Sequence, residues 1–180
     1  MPSDMKERIA REFIRLARAG SIDRITVKDI VEACHITRQT FYYHFRDLLD
    51  VIDWSFRQAM GELAEKSLQL DSRQQVMELF LTEAVQAKDL IRRLLDSQLR
   101  EQTERLLVEA VRAWFQEMAD RRELLEDVSR ADAQVALDFY SYAVVGILLE
   151  YCSRPRLDVK RLAGQLTRLM DGSFQKELED

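Results

Sequence analysis

Thr26-Val27-Lys28-Asp29-Ile30-Val31-Glu32-Ala33, then Cys34-His35-Ile36, then Thr37-Arg38-Gln39-Thr40-Phe41-Tyr42-Tyr43-His44-Phe45, is the stretch that decides how this chain folds. Thr26 occupies an N-cap position, and Asp29, three residues on, is placed to complete a capping box. The helix that follows, over residues 27–33, buries Val27, Ile30 and Val31. A short break falls at Cys34-His35-Ile36, and Thr37 is placed to cap a second short helix over residues 38–45. Upstream, Ile9, Phe13, Leu16 and Ala17 recur at helical spacing, so residues 4–18 are expected to form a first helix closed by Gly20. Three helices, the last two joined by a tight turn, make a tri-helical unit whose third helix enters the DNA major groove.

The side chains of that third helix suit the task. Phe41 and Phe45 lie four apart and face inward, so Tyr42, Tyr43 and His44 are left for the outer face. In the first turn, Arg38 can pair bidentately with guanine and Gln39 with adenine, and the Thr40 methyl can touch a thymine methyl. Phenol and imidazole groups can donate to phosphate oxygens, which positions the helix without reading sequence. Thr26 and Lys28, at the start of the second helix, offer a hydroxyl, an ammonium and free helix N–H groups to a phosphate strand.

Outward from this head the chain stays helical. Of its 180 residues, 47% are hydrophobic and only 5 are Gly and 2 Pro, so breakers are few. Residues 48–70 form one long helix with Leu49, Ile52, Phe56, Met60 and Leu63 inward. Ser72 and Gln75 form a second capping box that opens a helix through Val85, and residues 89–95 form a shorter one. Residues 99–118 follow, with Leu106, Leu107, Val111, Trp114 and Phe115 apolar. The charged stretch 121–130 is a connection. Residues 131–152 are the most apolar helix, with Pro155 just beyond its end. Asp158 caps the last helix, which carries Val159, Leu162, Leu166, Leu169 and Met170 on one face. The expected fold is all-α, with about nine helices: a three-helix head over residues 1–47 and a helical bundle over residues 48–180.

Charge and composition narrow the function. The net charge is −5. Residues 1–50 hold nine Lys/Arg against eight Asp/Glu, a net of +1, and the remainder holds 18 against 24, a net of −6. The head therefore escapes the acidity of the rest, which permits DNA binding. No apolar run approaches the roughly 20 residues of a membrane span, and residues 1–11 lack an apolar signal core, so a cytoplasmic location and no membrane partner are expected. Cys34 and Cys152 suggest neither a disulfide framework nor a zinc spacing. Cys34, beside His35, is a small buried filler before it is a redox thiol. No Gly-rich phosphate loop and no nucleophile–base pair point to an enzyme. Both histidines, His35 and His44, lie in the head, which argues against a His-based metal sensor. No cofactor is expected.

Ile25-Thr26-Val27-Lys28-Asp29-Ile30-Val31-Glu32-Ala33 with Ile36-Thr37-Arg38-Gln39-Thr40-Phe41-Tyr42-Tyr43-His44-Phe45 resembles the tetracycline-repressor (TetR) family, over about residues 5–60. The likeness implies a homodimer on a pseudo-palindromic operator, and a C-terminal effector-binding and dimerisation domain over residues 48–180. Two departures stand out. His35 occupies a turn position that is often glycine in the family. Leu48 stands where a lysine is common, which removes a phosphate contact that Arg46 is placed to supply. The threonine-phenylalanine-tyrosine-tyrosine-histidine-phenylalanine helix is also similar to regulators of dihydroxyacetone kinase operons. That likeness keeps open a co-activator acting mainly through a protein partner.

The resemblance further implies that the last two helices dimerise as a four-helix bundle. Phe139, Val144, Ile147, Leu148 and Tyr151 offer one surface and Leu162, Leu166 and Leu169 the other, with Gly146 allowing close approach. A pocket for an unknown small-molecule effector is expected between helices. Its candidate lining is Trp54, Phe56, Phe80, Trp114, Met118, Phe139 and Tyr142, each of which is plain core before it is ligand wall.

Overall fold

The computed structural model describes residues 2–152 and 157–173, and these hold eight α-helices, one 3-10 turn and no strand. The helices are α1 (Pro2–Ala19), α2 (Val27–Ala33), α3 (Arg38–His44), α4 (Leu48–Ser67), α5 (Arg73–Leu95), α6 (Arg100–Arg121), α7 (Arg130–Cys152) and α8 (Val159–Met170), with the 3-10 turn at Ile22–Arg24. The expected all-α fold holds, with one helix fewer. Residues 72–85 and 89–95 are a single α5, because Gln86-Ala87-Lys88 are good helix formers and nothing there supplies a cap or a break. Pro155 and the side chain of Cys152 lie outside the described residues.

The helix ends of the head follow from local chemistry. Thr26 and Asp29 form the reciprocal capping box: the Asp29 N–H donates to Thr26 Oγ1 (3.3 Å), and the Thr26 N–H donates to Asp29 Oδ2 (2.8 Å). At the other end of α2 the chain closes as a Schellman motif. The His35 N–H donates to the Glu32 carbonyl (3.1 Å) and the Ile36 N–H to the Val31 carbonyl (3.0 Å), with His35 at φ 49°. The position usually given to glycine is thus held by a histidine in the left-handed region. Arg8 of α1 donates to the Cys34 carbonyl and satisfies one more orphan acceptor there. Thr37 caps α3 by accepting the Thr40 N–H (3.1 Å).

Two compact units result. The first takes in the described residues up to 59 together with 89–107. Its core gathers Ile9, Phe13 and Ala17 of α1, Ile22, Ile30 and Val31, then Cys34, Phe41 and Phe45, and Val51 and Ile52 of α4. Leu94, near the end of α5, is fully buried in the same core. Two hydrogen bonds tie this return segment to the head: Arg93 donates to the Gly20 carbonyl (3.2 Å), and the Gln98 N–H donates to Asp23 Oδ1 (2.9 Å). The head's compact unit therefore extends past residue 47 and includes a segment more than 40 residues downstream of it.

The second unit holds residues 60–88 and the described residues from 108 onward. Leu63, Phe80 and Leu81 pack there with Val111, Trp114, Val144, Leu148, Leu162 and Leu166, all buried. Between α6 and α7 a second Schellman motif reverses the chain. The Glu123 N–H donates to the Asp120 carbonyl (3.3 Å) and the Leu124 N–H to the Ala119 carbonyl (2.9 Å), with Glu123 at φ 54°. Arg122, at that corner, donates to the Ser67 and Leu70 carbonyls (2.9 and 2.8 Å), covering the C-terminal end of α4. By length and composition α7, over Arg130–Tyr151, is long and apolar enough to cross a membrane, the one such helix among the described residues. In this fold its Leu137, Val144, Val145 and Leu148 are core, and Asp138 pairs with Arg112 of α6.

Candidate nucleic-acid interface and internal cavity

α3 is held by two aromatic anchors. Phe41 and Phe45 are buried with ring centroids 6.1 Å apart, and Trp54 of α4 meets Phe45 edge-on at 6.1 Å. With that face fixed, the helix must turn Arg38, Gln39, Tyr42 and Tyr43 to solvent, and all four are exposed. Tyr43 is 81% exposed and Tyr42 56%, so both amphipathic rings stand in solvent on this short helix. Thr40 and His44 are half-buried at the edges of this face. The rings are ordered by their neighbours: Tyr42 stands perpendicular to Phe41 at 5.5 Å, and Tyr43 to His44 at 5.0 Å.

The flanking candidates are exposed but engaged. The Thr26 hydroxyl donates to Asp29 Oδ2 (2.6 Å), so in this state it serves the cap of α2. That bond, with the Thr26 backbone N–H, holds the Asp29 carboxyl below its usual value of 3.8. The hydroxyls of Thr37 and Thr40 share a hydrogen bond at 2.9 Å. Lys28 lies 3.8 Å from Glu32, an exposed pair with little energy in it. Arg46 pairs with Asp50 (3.2 Å), and its backbone N–H donates to Asp50 Oδ2 (2.9 Å). The hydrogen bond from Arg46 keeps the Asp50 carboxyl below 3.8. Leu48, the position without a lysine, packs partly buried against the head core.

Lys6 was not among the residues picked out by sequence. Its ammonium sits 5.2 Å from the centre of the Phe45 ring, a cation–π contact beside the end of α3. Its signal was weak, a lone lysine one turn before Ile9. Cys34 is fully buried, and burial pushes its thiol above the usual 9.0, so it sits in the core as a filler.

The second unit contains a cavity of about 330 Å³. Two of the seven aromatic and Met candidates line it, Trp114 and Met118. The other five do not. Trp54 and Phe56 pack against the head core in the first unit. Phe80 is buried and stacks on Trp114 at 5.1 Å without lining the space. Phe139 and Tyr142 point outward, 66% and 67% exposed. The walls are instead completed by residues that sequence did not place in the pocket: Val76 and Met77 of α5, Leu124 and Leu125 of the corner, Tyr140 and Met170. The corner at Glu123 brings Leu124 and Leu125 to this space, and no pattern of apolar periodicity announces a positive-φ turn.

The residues expected at a dimer surface differ in burial. Val144, Leu148, Leu162 and Leu166 are buried inside the second unit and so are not available to a partner. Ile147 and Tyr151 are half-buried, and Leu169 is exposed. The outward apolar residues of α7 are Val135, Phe139 and Tyr142, followed on the same line by Gly146, whose Cβ position is open space. At about 100° per residue these four lie within roughly 60° of one another on the helix, opposite Val144 and Leu148. α7 is apolar nearly all round, which is why sequence could not tell its inner from its outer face.

Residues 14–47 match the family described as "Bacterial regulatory proteins, tetR family". A dhaKLM operon transcriptional activator, DhaS, from Lactococcus lactis subsp. lactis (strain IL1403) is 34% identical over 55 residues, covering 31% of this chain and 29% of that protein. That similarity therefore spans under a third of the relative's length. The solved structure of a dihydroxyacetone kinase operon activator DhaS superposes with a TM-score of 0.65 at 18% identity, covering 94% of this chain and 96% of that one. The TetR family repressor AlkX from Dietzia sp. strain DQ12-45-1b gives 0.56 at 18% identity, covering 94% and 97%. The fatty acid degradation regulator FadR from Bacillus halodurans gives 0.53 at 12%, covering 92% and 93%. At these identities the structural likenesses establish the fold.

Proposed function

We propose that this chain is a DNA-binding transcription regulator of the TetR family, that it binds a pseudo-palindromic operator as a homodimer and that it is modulated by a small-molecule effector held in the second unit. The observation that carries the proposal is the outer face of α3, where Arg38, Gln39, Tyr42 and Tyr43 are exposed together on a helix pinned by Phe41 and Phe45. In this reading Arg38, Gln39 and Thr40 read base edges. Tyr42, Tyr43, His44, Lys28 and Arg46 hold phosphates, while Thr26 and Thr37 preset the helix ends that present them. Arg46 and Lys28 must exchange their carboxylate partners for phosphate, which costs little because both pairs are exposed.

Dimerisation is assigned to the outward stripe Val135, Phe139, Tyr142 and Gly146 of α7, with Leu169 of α8 also exposed. A contiguous apolar stripe on a helix is the kind of surface that a partner copy covers. Two heads then meet half-sites about 34–36 Å apart.

The direct test is a gel shift with the DNA upstream of this chain's own gene. A specific shift supports autonomous operator binding. No specific shift, with the dimer intact in sedimentation, would overturn it in favour of action through a protein partner. Repression is the default sign of the output. Activation is favoured by one observation: the relative at 34% identity is named an activator. Transcription from the shifted promoter, with and without the protein, separates the two.

A further inference from the structure

The cavity in the second unit has a one-sided polar chemistry. Its walls are mainly apolar, but every polar side chain among its lining residues carries a hydrogen-bond donor: Arg73, Arg122, Trp114, Tyr140 and Thr167. No Asp, Glu, Asn, Gln or His is among them. Two of those polar atoms are buried without a hydrogen-bond partner among the described residues, Trp114 Nε1 and Thr167 Oγ1. An unsatisfied buried donor costs roughly 1–3 kcal/mol, so such groups are kept where something else satisfies them. Tyr140 is less available, since its hydroxyl donates to the Met170 carbonyl (3.3 Å). The cations stand differently. One nitrogen of Arg122 is spent on the Ser67 and Leu70 carbonyls, which fixes the guanidinium and leaves its remaining N–H groups without a recorded partner among the described residues. Arg73 is exposed and pairs with no carboxylate among the described residues.

We propose that this cavity takes a small carboxylate with an apolar body. The inference rests on the effector-binding reading of the second unit and names the chemistry of the effector. Two guanidinium groups with no carboxylate beside them in the wall favour an anion and disfavour a cation. The apolar walls of Val76, Met77, Met118 and Leu137 require a hydrophobic remainder. Size limits it further: at roughly the 30 Å³ that a water-sized group occupies in a liquid, about eleven non-hydrogen atoms fill the space. The carboxylate meets Arg73, since Arg122 is engaged with the Ser67 and Leu70 carbonyls, and any second acceptor on the body meets Trp114 Nε1 or Thr167 Oγ1.

Three probes of equal size separate the classes on the unmodified full chain: nonanoate, 1-decanol and decylamine, titrated by calorimetry. Nonanoate is expected to bind at least about tenfold more tightly than decylamine, a difference typical of one charge-assisted hydrogen bond. The variant Arg73→Gln is expected to weaken nonanoate about tenfold and to leave 1-decanol within about twofold. In a Trp54→Phe chain, where Trp114 is the sole indole, nonanoate should change the emission of Trp114. Decylamine binding as tightly as nonanoate, nonanoate affinity unchanged by Arg73→Gln, or no binding of any probe would overturn the proposal. Nonanoate binding that leaves the operator shift unaltered would uphold the ligand class and overturn the regulatory role of the unit. The two failures are therefore distinguishable.

Discussion

His35 shows how a single residue can sit against its own preference. Its φ of 49° is the left-handed value that ends α2 and sets the turn before α3. For a side chain with a Cβ that conformation costs on the order of 1 kcal/mol. His35→Gly is therefore expected to raise the unfolding midpoint by about 2–4 °C, and His35→Val to lower it by at least as much, measured by thermal denaturation. Asp29 makes a pH prediction. Its carboxyl is held below 3.8 chiefly by the Thr26 hydroxyl, so its contribution to the head is complete above pH 3.8. The contribution is lost as the pH falls further, through the lowered folded value. Thr26→Ala should return the Asp29 titration, followed by NMR, toward 3.8 and cost about 1 kcal/mol of stability. On α3, Gln39→Ala should relax preference at one base position by about 1–3 kcal/mol. Tyr42→Ala should weaken all sequences alike. Equal losses on every sequence from both changes would refute that division.

At the level of elements, what could be read beforehand depended on how local the determinants were. The capping boxes at Thr26–Asp29 and Ser72–Gln75, the caps Thr37 and Asp158 and the inward pair Phe41 and Phe45 all act within one turn of chain. They are visible in the order of residues. The outer face of α3 follows from the same pair. The cavity was legible only in Trp114 and Met118, because its other walls come from several helices and from the positive-φ corner at Glu123, which supplies Leu124 and Leu125. α7 was the hardest, since a helix apolar on most sides has no periodicity to mark its inner face. Its two faces now make opposite predictions. Leu148→Ala, on the buried side, should destabilise the fold by about 2–5 kcal/mol. Phe139→Glu, on the outer side, should leave the fold intact and produce a monomer in analytical ultracentrifugation.

For the whole molecule, charge is the unusual quantity. A chain of net −5 approaches a polyanion, and only the first 50 residues tip to +1. Affinity must then come from a few cations. On the proposed dimer, Lys28 and Arg46 in each of two heads, the cations assigned to phosphates, give a slope of log K against log salt no steeper than about −4 on B-DNA. A much steeper slope, measured by titrating the operator complex with salt, would mean that further cations such as Lys6 take part. The return segment around Leu94 is the part of the first unit that a reading in sequence order separates from the head. Its side chain completes the same core as Phe13 and Phe41.

On the proposed dimer, the outward stripe of Val135, Phe139 and Tyr142 would make the protein dose-dependent. Where two copies must cover each other's apolar face, folding stability follows mass action, and the unfolding temperature climbs with protein concentration. Operator occupancy then grows with the square of the protomer concentration while most of the chain is unpaired, so halving the amount in a cell removes more than half of the control.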